Sequence, residues 1–160
     1  MAHPILSDNE AREFFTTVHD TTFNWTVEQL PALMAELGWT IDDSVTIPGE
    51  AAIADVAWDL PQVDVAMTFS DGNVNRISLR LTSPAKDPAS QLAVADAFTR
   101  FTGFVQDIFG VPGKRVPGDH PALQWRHGAY VLTLTNLVST ISVFWATADF
   151  QDAVDKTGTA

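Results

Sequence analysis

The chain predicts an α+β fold: a single domain with an antiparallel sheet of about five to seven strands, on which a long central helix and N-terminal helices pack. Three observations predict it. Apolar residues recur with the 3.6-residue helical period in two stretches, near residues 8–37 and 87–110. They alternate with period two over 63–81, and Leu123 and Trp125 open a further set of strands. The turn signals Ser70-Asp71-Gly72-Asn73 and Asn136–Ser139 join successive strands as hairpins, so neighbours run antiparallel. With 160 residues, 46 % of them hydrophobic, and 10 Phe and 5 Trp, the chain can fill one substantial core, and bulk disorder is excluded. Residues 1–160 are therefore read as one domain with a frayed tail at 157–160.

Each element has its own signal. Ser7 and Glu10 form a capping box, and Ala11, Phe14, Phe15 and Val18 follow at helical spacing, which predicts a helix over 8–20. A second stripe, Leu30, Leu33, Met34 and Leu37, stops at Gly38 with Trp39 behind it; Pro31 fits the first turn of a helix that begins near Leu30. Strands are expected at Val45–Ile47 and Ile53–Trp58, the second turned by Asp59-Leu60-Pro61-Gln62. Val63, Val65, Met67 and Phe69 alternate with small or polar residues, as do Ile77, Leu79 and Leu81. A two-residue Asp71-Gly72 loop would set Met67 opposite Arg76. Slipping one residue pairs Met67 with Ile77, Val65 with Leu79 and Val63 with Leu81, so a three-residue loop, Asp71–Asn73, is expected.

Asp87-Pro88 caps a helix of about 22 residues whose stripe reads Leu92, Ala95, Phe98, Phe101, Val105, Ile108 and Phe109, stopped by Gly110 and Pro112. Gly103 inside it suggests close packing at that point. Val111–Pro121 reads as a loop. A strand opens with Leu123 and Trp125, two more run over 129–135 and 140–145, and a short helix is expected at Asp149–Lys156. The order shows no internal repeat, low-complexity tract or linker.

Composition narrows the function classes. The 9 basic and 20 acidic residues give a net charge of −11, which argues against nucleic-acid or anionic-membrane binding, since both need a basic footprint. The charge is lopsided: residues 1–75 carry 13 acids and one base, Arg12, whereas 76–160 carry 7 acids and 8 bases. An electronegative surface able to meet a basic partner follows. Zero cysteines exclude disulfides, thiolate metal sites and cysteine nucleophiles. Neither a secretory signal nor an uninterrupted run of 18 apolar residues is seen, so the expected compartment is the cytoplasm.

The chemistry-bearing residues form no catalytic signature. Asp119, His120 and His127 match no zinc spacing, so no metal is expected. There is no G-x-S-x-G elbow and no phosphate-binding glycine motif; the loop Gly110–Gly113–Gly118 with Lys114 and Arg115 reads as a connector. No cofactor is expected. Across the predicted turn at Asp59, Asp55 and Asp59 would lie diagonal to Asp64 on the outer sheet face, with Arg80 opposite Asp64. An open face suits docking better than acid–base catalysis, for which paired carboxylates sit in clefts. Trp25, between the first two helices, is a candidate anchor, with packing under the interhelix loop as its alternative.

The layout resembles the small acidic bacterial immunity proteins that neutralise polymorphic toxins. The resemblance rests on the Leu30-x-x-Leu33-Met34-x-x-Leu37-Gly38-Trp39 helix end, the central hairpin, and Gln124-Trp125-Arg126-His127-Gly128-Ala129-Tyr130 leading into Ile141-Ser142-Val143-Phe144-Trp145. It is also similar to uncharacterised small actinobacterial domains, and in element order to the type III secretion chaperone-like fold, which implies a possible homodimer. The function expected is non-enzymatic: an immunity-type inhibitor that meets a basic protein through Asp42, Asp43, Glu50, Asp55, Asp59 and Asp64, with Trp25 as anchor. The alternatives are a secretion-chaperone-like adaptor, and a small-ligand or enzymatic domain with a pocket between the sheet and the long helix, in which His120 or His127 would act.

Overall fold

The computed structural model describes residues 3–43, 47–61 and 63–157. Ser7 starts helix α1 (Asp8–Asp20): its hydroxyl accepts the Glu10 backbone N–H and donates to the Glu10 carboxylate, closing the capping box. Ala11, Phe14, Phe15 and Val18 are its buried stripe. A 3₁₀ turn over Val27–Gln29 leads into α2 (Leu30–Leu37), with Pro31 in the first turn. Gly38, at φ 76°, ends α2 in the left-handed conformation that glycine adopts without a Cβ penalty.

Eight strands follow in one antiparallel sheet: β1 (Thr40–Ile41), β2 (Ala51–Asp55), β3 (Asp64–Ser70), β4 (Asn73–Arg80), β5 (Lys114–Val116), β6 (Ala122–His127), β7 (Tyr130–Asn136) and β8 (Ile141–Thr147). Their spatial order is β1-β2-β3-β4-β8-β7-β6-β5. Helix α3 (Pro88–Phe109) carries the chain from the centre of the sheet to its far edge, and α4 (Ala148–Thr157) follows β8. A helical segment followed by a four-stranded meander thus occurs twice, and the last strand of each meander meets the other at the middle of the sheet. The sequence shows no matching repeat.

The two faces of the sheet differ in kind. On the inner face Ala52, Met67, Ile77, Trp145, Leu132 and Trp125 are successive cross-strand neighbours, all buried under α1, α2 and α3. One position along, the outer face reads Ile53, Ala66, Ser78, Phe144, Thr133, Gln124 and Lys114. The inner row is large and apolar, the outer row mostly small or polar. Helix α4 covers only part of the outer face, against β7 and β8.

The sheet is wider than the five to seven strands expected. Edge strands β1 and β5 have two and three residues, too few for an alternation to be read, and β5 lies in the stretch expected to be a loop. Val45, Thr46, Gln62 and 158–160 lie outside the described residues; Ile47 forms an isolated bridge with Ala51. Strand β2 stops at Asp55 rather than reaching Trp58, so Asp55 pairs directly with Asp64 instead of lying diagonal to it. The shift is by two residues, so both side chains keep the outer face.

The central hairpin combines both registers weighed from the sequence. Asp71 and Gly72, at φ 53° and 78°, make a two-residue turn pairing Ser70 with Asn73 and Phe69 with Val74. A bulge then leaves Asn75 extra on β4, and beyond it Met67 faces Ile77. The buried stripe of α3 is Val94, Ala97, Phe101, Phe104 and Val105, rotated from the one expected; Leu92 is 64 % exposed. The rotation arises because α3 packs on α1 as well as on the sheet, with Arg12 stacked 3.9 Å over the Phe104 ring. Gly103 touches nothing that a Cβ would meet, so the close packing expected there is absent.

Candidate functional site

The first meander carries the acidic residues. The Asp42 backbone N–H donates to the Ile53 carbonyl and extends the β1–β2 pairing; Asp43 follows it, exposed. The carbonyl of Glu50 accepts from the Phe69 N–H, which places Glu50, exposed, at the other end of β2. Asp55 and Asp64 stand opposite each other, and Asp59 lies on the exposed connection between them. Like charges directly across a strand pair destabilise it by roughly 0.2–1 kcal/mol. The register places Arg80 next to Asp64, and both line a shallow outer-face hollow of about 250 Å³. Yet no ion pair joins them among the described residues. Among the described residues the ion pairs take up Asp8, Asp107, Asp152 and Asp155, Asp20 meets the His19 ring, and none takes up Asp43, Glu50, Asp55, Asp59 or Asp64. At the β1–β2–β3 edge these five carboxylates are therefore left without an ion pair among the described residues.

Trp25 leaves this set. It is 7 % exposed and held in the left-handed region, φ 63°, where its carbonyl accepts from the Val74 N–H. Its ring meets Trp145 edge-on at 5.4 Å and lies beside Phe23 and Tyr130. It closes the core beneath the interhelix loop and has no ring face to offer a partner.

Helix packing assembles a group that the sequence did not announce. Phe14 of α1, Trp39 after α2 and Trp58 beyond β2 form a three-ring cluster with centroid separations of 5.5–6.0 Å. The rings line a hollow of about 210 Å³, and Glu10, Glu13 and Glu36 stand round it. Glu36 accepts from the Thr21 hydroxyl at 2.8 Å, and Glu10 is held by Ser7; the Glu13 carboxylate has no partner among the described residues. Carboxylates round the half-buried Trp58 suit a lysine or arginine head group, which gains charge pairing and attraction to that ring's quadrupole, while Phe14 and Trp39 are buried behind it. Each glutamate, taken singly, reads as a solvated helix position. Only the Glu10–Glu13 spacing beside Phe14 hinted that two of them share a face.

His120 and His127 do not converge. His127, at the end of β6, lies 4.7 Å from the His19 ring and edge-on to Phe109, whereas His120 lines a cavity on the outer face. Among the described residues no cluster of three His, Cys, Asp or Glu is placed to hold a metal ion. Two displaced titrations have clear physical causes. Burial, reinforced by Asp20, holds the Tyr130 phenol above the ordinary tyrosine range, and its hydroxyl donates to the Val18 carbonyl at 3.1 Å. Burial lowers Arg76 from its ordinary value; its guanidinium lies over the rings of Phe144 and Phe150.

Fold and site together define an α+β domain in which α1, α2 and α3 cover one face of a continuous eight-stranded antiparallel sheet whose leading edge is acidic. No described helix is long and apolar enough to cross a membrane. The chain belongs to the DUF6301 family, described as a family of unknown function, which it matches over residues 9–147. No curated protein matches it. Among solved structures it is similar to a DUF4309 family protein, YjgB from Bacillus subtilis subsp. subtilis str. 168, at 14 % identity and a TM-score of 0.49, covering 88 % of this chain and 99 % of that one.

Proposed function

We propose that the protein is a non-enzymatic binding domain, an immunity-type inhibitor that neutralises a basic toxin through its acidic half. One observation carries the reading: among the described residues no ion pair takes up Asp43, Glu50, Asp55, Asp59 or Asp64, although Arg80 stands beside Asp64. The hollow edged by Glu10, Glu13 and Glu36 gives that half a shaped seat for one basic side chain. Charge complementarity of this kind accelerates encounter and rejects acidic partners; occlusion of the toxin's own site then inhibits it. The proposed setting is the cytoplasm, with no cofactor or metal involved.

The test is affinity capture from the source cells at low and high salt, comparing wild type with a variant carrying Asp43→Asn, Asp55→Asn, Asp59→Asn and Asp64→Asn. A basic protein is expected on the wild type at low salt, reduced by salt and by the variant. Expressed alone it should arrest growth, and co-expression should relieve the arrest. Association measured with the purified pair should slow on the order of tenfold in the variant at low salt. Equal capture and equal rates would overturn the electrostatic reading, and recovery of several secreted proteins would favour a chaperone-like adaptor.

A further inference from the structure

The outer face of the sheet holds a second hollow, chemically unlike the acidic one and separate from it. It arises because outer positions of β6 and β7 are small: Ala122, Thr133 and Thr135 leave a depression that Phe144 of β8 bounds on one side and α4 overhangs on another. Its volume, about 460 Å³, falls within the span of small-molecule sites, roughly 300–1,000 Å³. Val116, Leu137 and Phe144 make the lining apolar. Neighbouring hollows share Leu137 and Phe144 on one side and Lys114 and Gln124 on the other, so the cavity opens along the face in both directions.

The polar groups in it indicate what it would take. Lys114 and Asp155 face each other at 3.7 Å, and Asp155 also accepts from Gln151, so charge at that wall is internally balanced. Beyond that pair the lining holds no carboxylate, ammonium or guanidinium to compensate a charged ligand for lost water, and its remaining titratable side chain is His120. Thr133, 5 % exposed, stands between Phe144 and Gln124, and its hydroxyl is buried without a hydrogen-bond partner among the described residues. A buried, unmet hydroxyl costs stability that a valine of the same shape would not. A ligand that bonds to it removes the deficit.

We infer that this cavity binds an uncharged, predominantly apolar molecule of bicyclic size carrying one hydrogen-bonding group, which meets the Thr133 hydroxyl. The inference is independent of the acidic edge. It also moves the site from where the sequence put it: the interface between the sheet and α3 is filled by packed side chains, and the cavity lies on the opposite face.

The probes are N-phenyl-1-naphthylamine and 8-anilinonaphthalene-1-sulfonate, which share one apolar body and differ by a sulfonate. Fluorescence titration should show saturable, one-to-one binding of the neutral amine, at least tenfold tighter than its anionic analogue. Ala122→Trp, which fills the cavity, should abolish the binding with circular dichroism unchanged; Thr135→Leu serves if that variant does not fold. Ala57→Trp, which fills the acidic hollow instead, should leave it intact. Thr133→Val should weaken binding about fivefold while the melting temperature holds or rises. No saturable binding, a signal lost with Ala57→Trp instead of Ala122→Trp, or equal affinity for both probes would overturn the inference. Unchanged affinity in Thr133→Val would overturn the role given to the hydroxyl.

Discussion

Tyr130 is the single tyrosine of the chain, so its ionisation can be followed without interference. Burial and Asp20 raise its pKa in the folded state above the unfolded value, which favours the protonated form. Stability linked to this group is therefore complete below about pH 10, the unfolded value, and is lost as pH rises above it. Absorbance of the folded protein at 295 nm should stay flat through that range, while the protein in guanidinium chloride should titrate near pH 10; a tyrosinate step near pH 10 in the folded protein would refute the buried hydroxyl. Trp25 makes the same point about environment. Truncating it to alanine should cost about 3–5 kcal/mol in denaturant unfolding, because it removes a core ring. As an exposed anchor it would have cost little stability, and that result would restore it to the binding surface.

Among elements, α3 departs furthest from its amphipathic reading. Its N-cap, N1 proline and length were legible: Asp87 accepts the Ser90 backbone N–H at 2.9 Å, and the helix ends at Phe109. Its rotation was not, because a helix packed on both a sheet and α1 buries a stripe that its own hydrophobicity does not centre. Gly103 lies in open space at ordinary helical angles, so Gly103→Ala should stabilise the protein by about 1 kcal/mol, read as a higher denaturation midpoint at constant m-value. A loss of stability would mean that a neighbour occupies that space. Edge strand β5 was invisible for a different reason: three exposed residues have no periodicity, and only their pairing with β6 makes them a strand.

For the molecule as a whole, the two meanders share one contiguous core, with Ile77 and Leu79 of β4 packed against Trp145 and Val143 of β8 across the join. Neither half has an apolar face of its own that stays closed when the other leaves. Chemical unfolding followed by tryptophan fluorescence and by far-ultraviolet circular dichroism should therefore superimpose as one transition. Separate midpoints would show that the halves fold as independent units. The same arrangement sorts charge in space as the chain sorts it in sequence: the first meander carries the exposed acids, while the ion pairs made by Arg100, Lys114 and Arg126 draw on bases of the second half.

What the sequence determined by itself is what depends on near neighbours along the chain. The α1 capping box, the Gly38 stop, the hairpin at Asp71 and the acidic excess of the first half all follow from residues a few positions apart. The tertiary structure decided what depends on distant segments meeting. It set Asp55 opposite Asp64, brought Trp39 and Trp58 under the glutamates of α1 and α2, sent Trp25 into the core, and left a cavity beneath α4 where small outer residues of β6 and β7 coincide. Register, helix rotation and the coincidence of small side chains are properties of packing between segments. Local propensity carries no term for them.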